Sequence, residues 1–414
     1  MSVSSVVSRL PQLILAAALL AHPARLPAQV TLTIDAKGQG PAVSPTMHGI
    51  FFEDINYAGD GGLYAELVEN RSFEHRDGMH AWRVESRDDA EGKAGFSSEQ
   101  PVHENNPRFL AIEVIRPGGG FGVSNLGYGG IPVKAGEEYR FAVHARAPAG
   151  YAGRLRVRLE DEAGKALAEG VLEKIGDTFA RRTLMLTPSA TTAKARLVVL
   201  ADAAGRVDLD MISLFPKNTF KQRENGLRAD LAQMLADMKP GFIRFPGGCI
   251  VEGRDLANAY RWKDTVGDIA ERKQNANLWQ SGDPKRPDFH YHQTYGLGFF
   301  EYFQFCEDIG AEAVPVLNCG MSCQFRGNTP VDMKDLDPWV QDALDLVEFA
   351  NGPVDSRWGA LRASMGHPAP FNLKRLGIGN EQWGEVFFER YAVFAKALAA
   401  RYPDLLLVST AGAG

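Results

Sequence analysis

The sequence predicts an α/β protein: a parallel sheet with helical crossovers, interrupted after its first strand by an antiparallel β-sandwich. Three observations carry this expectation. After Pro216, short apolar runs alternate with amphipathic segments of helical length, the rhythm of a parallel sheet. Between about Arg76 and Phe215, runs such as "YRFAVHAR" and "RLRVRLED" alternate apolar and polar residues with period two, punctuated by Gly, Pro and Asp. The length of 414 residues, 45% of them hydrophobic, is enough for more than one core. The expected division is 1–28, 29–75 with the first strand of the parallel sheet, 76–216 as the sandwich, and 217–414 as the remainder of that sheet.

Taken in order, "PQLILAAALLA" is a short apolar core after a single Arg, and "RLPA" ends in a small residue before Gln29. Residues 1–28 therefore read as a secretory signal peptide, too short in its apolar core to span a bilayer comfortably. "MHGIFFE" (47–53) reads as a strand ending at a carboxylate. The Gly-rich stretch behind it turns helical around Leu63 to Val68. Beyond the sandwich, "GLRADLAQMLADM" places Leu227, Leu231, Met234, Leu235 and Met238 on one helical face. "FIRF" is a strand stopped by Pro246-Gly247-Gly248. "GLGFFEYFQFCEDIG" is a helix leading into the strand "AEAVPVLN". Asp337-Pro338 opens another helix, with Asp337 as N-cap and the proline in the first turn. "LKRLGIGNEQWGEV" then holds a buried strand, followed by the helix "EVFFERYAVFAKALAARY" and the strand "LLLVST". Counted from "MHGIFFE", five strands precede "AGAG".

A net charge of −6 without a basic stripe argues against nucleic acid as the main partner. Four cysteines (Cys249, Cys306, Cys319, Cys323) are too few for a disulfide framework in a chain this long. Cys319 and Cys323 lack a second ligand pair at closing distance, and "HYH" at His290–His292 suits packing or hydrogen bonding, so no metal is expected.

The strand tips gather Glu53, Arg244, Asn318, Asn380 and Glu381, and the C-terminal tips of a parallel barrel converge on one mouth. A carboxylic acid beside a second carboxylate, with Arg and Asn donors, suits glycosidic bond cleavage: one group protonates the leaving oxygen while another stabilises or attacks an oxocarbenium-like centre. Each residue also has a plainer role open to it. Glu381 suits a solvated loop, Glu53 and Arg244 suit a structural ion pair, and Trp383 suits core packing as well as a sugar platform.

"HGIFFEDINYAGDGGLYAELVENRSFE", "ENGLRADLAQMLADMKPGFIRFPGGCIVEG" and "GIGNEQWG" resemble the glycoside hydrolase family 51 α-L-arabinofuranosidases, over nearly the whole of the chain after residue 28. The resemblance implies a (β/α)8 TIM barrel, of which about the first five strands are present, with an inserted carbohydrate-binding-like module. It further implies Glu381 as general acid/base at the end of strand four, Asn380 as the contact to the arabinosyl 2-hydroxyl, and Glu53 and Arg244 as residues gripping the furanose ring. Cys249 stands where some members carry Asn. The family's nucleophile is a Glu on strand seven, and no residue here fills that position, so the 414 residues are expected to be C-terminally incomplete and inactive alone. The implied activity is release of terminal α-L-arabinofuranosyl units from arabinan or arabinoxylan by a retaining double displacement. It needs no cofactor and would belong to a secreted or periplasmic protein with no membrane attachment after signal cleavage. Two rival readings remain: a β-glycanase of the same clan, and a non-catalytic polysaccharide-binding protein acting through the sandwich, whose aromatics are Trp82, Phe109, Phe121, Tyr128, Tyr139, Phe141, Tyr151 and Phe179.

Overall fold

The computed structural model describes residues 31–34, 40–148, 150–280 and 291–410. The expected signal peptide and His290 lie outside them. Among the described residues, no helix is long and apolar enough to cross a membrane.

Five strands form one parallel sheet in chain order: Ile50–Phe51, Phe242–Phe245, Glu312–Leu317, Arg375–Ile378 and Leu406–Ser409. Helices fill the crossovers, as parallel pairing requires. Phe299–Ile309 joins the second strand to the third, Asp337–Asn351 and Arg357–Ser364 join the third to the fourth, and Glu385–Arg401 joins the fourth to the fifth. The protein is thus of the α/β class. The Phe299–Ile309 helix forms because its apolar side chains share one face and are buried together: Phe299, Tyr302, Phe303 and Cys306. Phe245 from the second strand stacks on Tyr302 at 4.8 Å and meets Phe303 edge-on at 5.5 Å. Truncating a fully buried ring of this kind to Ala costs roughly 3–5 kcal/mol.

Residues 82–216 form two antiparallel sheets. One orders its strands Ala180–Leu186, Tyr139–Arg146, Gly205–Pro216, Phe109–Arg116 and Glu91–Ser97. The other runs Trp82–Arg87, Gly120–Asn125, Thr192–Ala201, Leu155–Glu160 and Ala166–Leu172, with Ile131–Val133 paired to Thr192–Ala201. Leu110, Ile112, Phe141, Val143 and Leu209 from the first sheet pack with Val123, Val157, Leu159, Leu197 and Val199 from the second in a single core. Alternation explains it: Leu155, Val157 and Leu159 are buried, while Arg156 and Arg158 between them are partly exposed.

Three local expectations need correction. Leu63–Val68 is not helical. A distorted turn at Gly59–Leu63, with Gly61 at φ 81°, opens into extended chain at Tyr64. There the backbone finds partners elsewhere: Ala65 N–H donates to Gly226 O (3.1 Å), Leu67 N–H to Leu214 O (3.0 Å), and Arg228 N–H to Leu63 O (2.8 Å). Those bonds replace the intrahelical ones. Second, the Ala229–Asp237 helix buries Ala232 and half-buries Leu231, Leu235 and Ala236, whereas Met234 and Met238 are 66% and 67% exposed. The buried face is rotated toward the alanines, and Met238 falls past the helix end. Third, Asp337 is the first helical residue and Leu336 the N-cap, with Pro338 in the first turn as expected. The helix Arg357–Ser364 adds to the elements expected from sequence. Ser356 caps it by accepting from Gly359 N–H (3.2 Å).

Candidate active site

The C-terminal tips of the parallel strands surround a cavity of about 620 Å³. Glu53, Arg244, Cys249, Asn380 and Glu381 all line it, together with Phe51 and Trp279.

Each side chain arrives there for a local reason. Phe52 N–H donates to Arg244 O (2.9 Å), extending the ladder from the first strand and setting Glu53 beside the second. Ile250 N–H then donates to the Glu53 carboxylate (3.2 Å). A Cβ on Gly247 would lie 2.8 Å from Glu53 Cγ, so this approach needs glycine. Along Phe242–Phe245, Ile243 and Phe245 are buried while Arg244 faces the cavity. Its guanidinium donates to Gly247 O (2.9 Å) and Asn380 Oδ1 (2.7 Å), and lies over the Phe51 ring at 4.7 Å. Burial lowers the guanidinium's pKa, opposed by the charges of Glu53, Glu381 and Glu252.

The fourth strand ends its ladder when Gly379 N–H donates to Leu317 O (2.8 Å). Gly379 at φ 81° and Glu381 at φ 51° then turn the chain out of the sheet. A left-handed glutamate is strained by roughly 1–3 kcal/mol, a cost tolerated mainly where the surroundings fix the backbone and function gains from it. Those surroundings are buried amides. Asn380 N–H donates to Gln382 Oε1, Asn380 Nδ2 donates to Glu252 Oε2 (3.1 Å), and Gln382 Nε2 donates to Glu252 Oε1 (2.7 Å). Glu381 itself is exposed, with the Cys249 thiol donating to its Oε2 at 3.5 Å.

Asn318 does not join them. It is buried beneath the site, where Nδ2 donates to the carbonyls of Val251, Glu252 and Met321, and Oδ1 accepts from Gly320 and Met321 N–H. With its amide fully used, it anchors the Cys249–Glu252 helical turn. Trp383 packs on Phe325 at 4.9 Å, and the Trp beside the cavity is Trp279.

Sequence reasoning misses Glu252. It is buried under the fourth strand's tip, and its pKa is pushed up to about 7, first by burial and then by the charge of Glu381, against the hydrogen bond from Asn380. Its only sequence signal is an acidic residue inside the apolar run "CIVEG". Asp54, behind Glu53, is likewise pushed up to about 7 by burial and by Asp60, while accepting from Tyr291 Oη (2.6 Å) and Gly59 N–H (2.8 Å).

Cys249, Glu252 and Cys323 bring three donor atoms within 4.8 Å of one another, a grouping of possible metal ligands that residue spacing did not reveal. Glu252 already accepts from two amides, and the Arg326 guanidinium lies 3.2 Å from the Cys323 sulfur. Burial also raises the Cys249 thiol, away from the thiolate that binds metal. His292, from the "HYH" stretch, stacks on His75 at 4.1 Å.

Residues 234–414 match the family model described as the alpha-L-arabinofuranosidase 1 domain. An extracellular exo-alpha-L-arabinofuranosidase of Streptomyces chartreusis is 42% identical over 402 residues, covering 92% of this chain and 46% of that protein. Alpha-L-arabinofuranosidase 1 of Arabidopsis thaliana is 37% identical over 393 residues, covering 92% and 56%. An arabinose-bound family 51 α-L-arabinofuranosidase structure superposes with a TM-score of 0.80 at 35% identity, covering 91% of this chain and 60% of that one. The chain therefore spans about half the length of the relatives it matches.

Proposed function

The chain is a homologue of the family 51 α-L-arabinofuranosidases, and from that premise we propose that its activity is that of an exported, exo-acting, retaining α-L-arabinofuranosidase with Glu381 as acid/base. The observation that carries this reading is the meeting of Glu381, Asn380, Arg244, Glu53 and Cys249 around one cavity at the strand tips. The parallel strands are read as part of a (β/α)8 barrel, whose catalytic groups gather at this face.

Glu381 protonates the departing glycosidic oxygen and later activates water. Its exposure leaves it reachable by substrate, while the buried Asn380 and Gln382 hold its backbone. Asn380, Arg244 and Glu53 bind furanose hydroxyls, and Cys249 contributes a weak polar contact. On this reading the nucleophilic carboxylate belongs to a seventh strand and stands about 5–5.5 Å from the acid across the sugar, as retention requires. Arabinan and arabinoxylan side chains are the substrates this reading favours, and the extracellular Streptomyces relative supports export. Six of the eight aromatics named for the antiparallel region (Trp82, Phe109, Phe121, Tyr139, Phe141 and Tyr151) are buried in the protein. That favours a structural over a sugar-binding role for this region.

Glu381→Gln in the full-length protein tests the assignment. Substrates with poor leaving groups should slow by about 10²–10⁴-fold, and activated aryl arabinofuranosides far less, because they need little protonation. External azide should then yield an arabinosyl azide. Equal losses on both substrate types, without azide rescue, would exclude Glu381 as the acid.

A further inference from the structure

We propose that Glu252 is a positioning residue, a buried carboxylate that fixes the Asn380 amide and through Gln382 the strained backbone of Glu381. The inference rests on the reading of the site given above.

Glu252 lies 128 residues from Asn380 in sequence, yet its two oxygens divide between the two residues flanking Glu381. Oε2 accepts from Asn380 Nδ2 and Oε1 from Gln382 Nε2. Gln382 Oε1 in turn accepts from Asn380 N–H, so carboxylate, amide and backbone form a closed ring of hydrogen bonds beneath Glu381. Ionised, Glu252 is an acceptor only. With Asn380 Oδ1 held by Arg244, it dictates which way the Asn380 amide faces the cavity. Among the described residues Glu252 has no ion-pair partner; the Cys249 and Cys323 thiols also donate to it, and the Arg244 charge acts on it without an ion-pair contact. A buried carboxylate without a cation in contact is costly, and a glutamine or apolar residue would be less so for folding alone. Such groups concentrate at functional sites.

The test is a polarity swap in the full-length protein. E252Q keeps one acceptor and sets an N–H2 against a second N–H2. It should lower kcat/KM on an aryl arabinofuranoside at least tenfold, mostly in kcat, while the melting temperature holds or rises. The double variant E252Q/Q382E restores each bond of this ring. Its new amide at position 252 accepts from Asn380 and donates to the new carboxylate at position 382, whose other oxygen accepts from Asn380 N–H. It should recover activity to within about threefold of wild type. Unchanged kcat/KM in E252Q, or a folded swap variant that stays as impaired as the single one, would overturn the inference and leave the reading of the site intact. A wild-type protein inactive on arabinofuranosides would overturn both. If E252Q is too unstable to assay, the swap variant decides alone.

Discussion

Asp208, on the face of the first antiparallel sheet away from the shared core, and Glu252, beneath the cavity, are withdrawn from water to the same degree, at 0% and 1% exposure. Asp208 receives Arg146 and Arg206, both at 2.8 Å, and Arg146 is itself sandwiched by Phe109 and Phe179 at 4.8 and 4.3 Å. Glu160 in the second sheet is treated the same way, with Arg87 at 3.0 Å and Arg196 at 2.9 Å. Glu252 receives the Asn380 and Gln382 amides and the Cys249 and Cys323 thiols, with no cation in contact, and its pKa rises to about 7. Asp208 and Glu160 are neutralised by contacting arginines, whereas Glu252, like the buried Asp210 of the antiparallel region, has no contacting cation and its carboxyl is pushed toward the neutral form. Burial alone therefore does not set the state of a carboxylate; the chemistry of the donors around it does.

The comparison is broken most directly by removing the well-paired charge. Asp208→Ala strands the buried Arg146 and should cost about 3–5 kcal/mol of stability. Activity of the folded fraction should be unchanged. A free energy of unfolding in urea within about 1 kcal/mol of wild type would show that this pairing contributes no more than the hydrogen bonds around Glu252.

A second test exploits pH. The folded pKa of Glu252, about 7, lies above its ordinary value of 4.5. Its contribution to stability is thus complete below about pH 4.5 and is lost as pH rises through 7. The loss amounts to about 3 kcal/mol at roughly 1.36 kcal/mol per pKa unit. Between about pH 5 and 8 the E252Q protein should lose less stability than wild type by about that amount. Parallel stability–pH curves for the two proteins would contradict it.

The smallest expected effect separates binding from bracing. Arg244 donates to Gly247 and Asn380 while facing the cavity. Arg244→Ala should therefore cost about 2 kcal/mol in kcat/KM, the worth of a charged hydrogen bond. Its melting temperature should move little. Normal kcat/KM with a lower melting temperature would make it a brace like Arg146.

Much of this was legible in the sequence because it is local. Period-two alternation marked the antiparallel strands, Glu53, Asn380 and Glu381 announce themselves by ending apolar runs, and Arg244 stands out as a charge inside one. What escaped depends on tertiary proximity. Glu252 reads as one more residue of a short helical turn until Asn380 and Gln382 are laid over it. Asn318 ends a strand as Asn380 does, but its amide is consumed by the loop below. Leu63–Val68 has helical composition, and only partners at Leu214, Gly226 and Arg228 make extended chain the more stable choice.

That same extended stretch bears on how the protein is made. Ile50 pairs with Ile243, so the first strand of the parallel sheet waits for its neighbour while the antiparallel sheets are translated. At about 5–20 residues per second the wait is roughly 10–40 s, long enough for the intervening region to fold first. Once folded, that region brings Leu67 to Leu214 and Ala65 to Gly226, holding the incoming and outgoing chain side by side. The entropic cost of closing so long a loop is then already met when the second strand emerges. The insertion acts as a template for its host, and a variant that slows its folding should leave the Ile50–Phe51 strand exposed on the nascent chain.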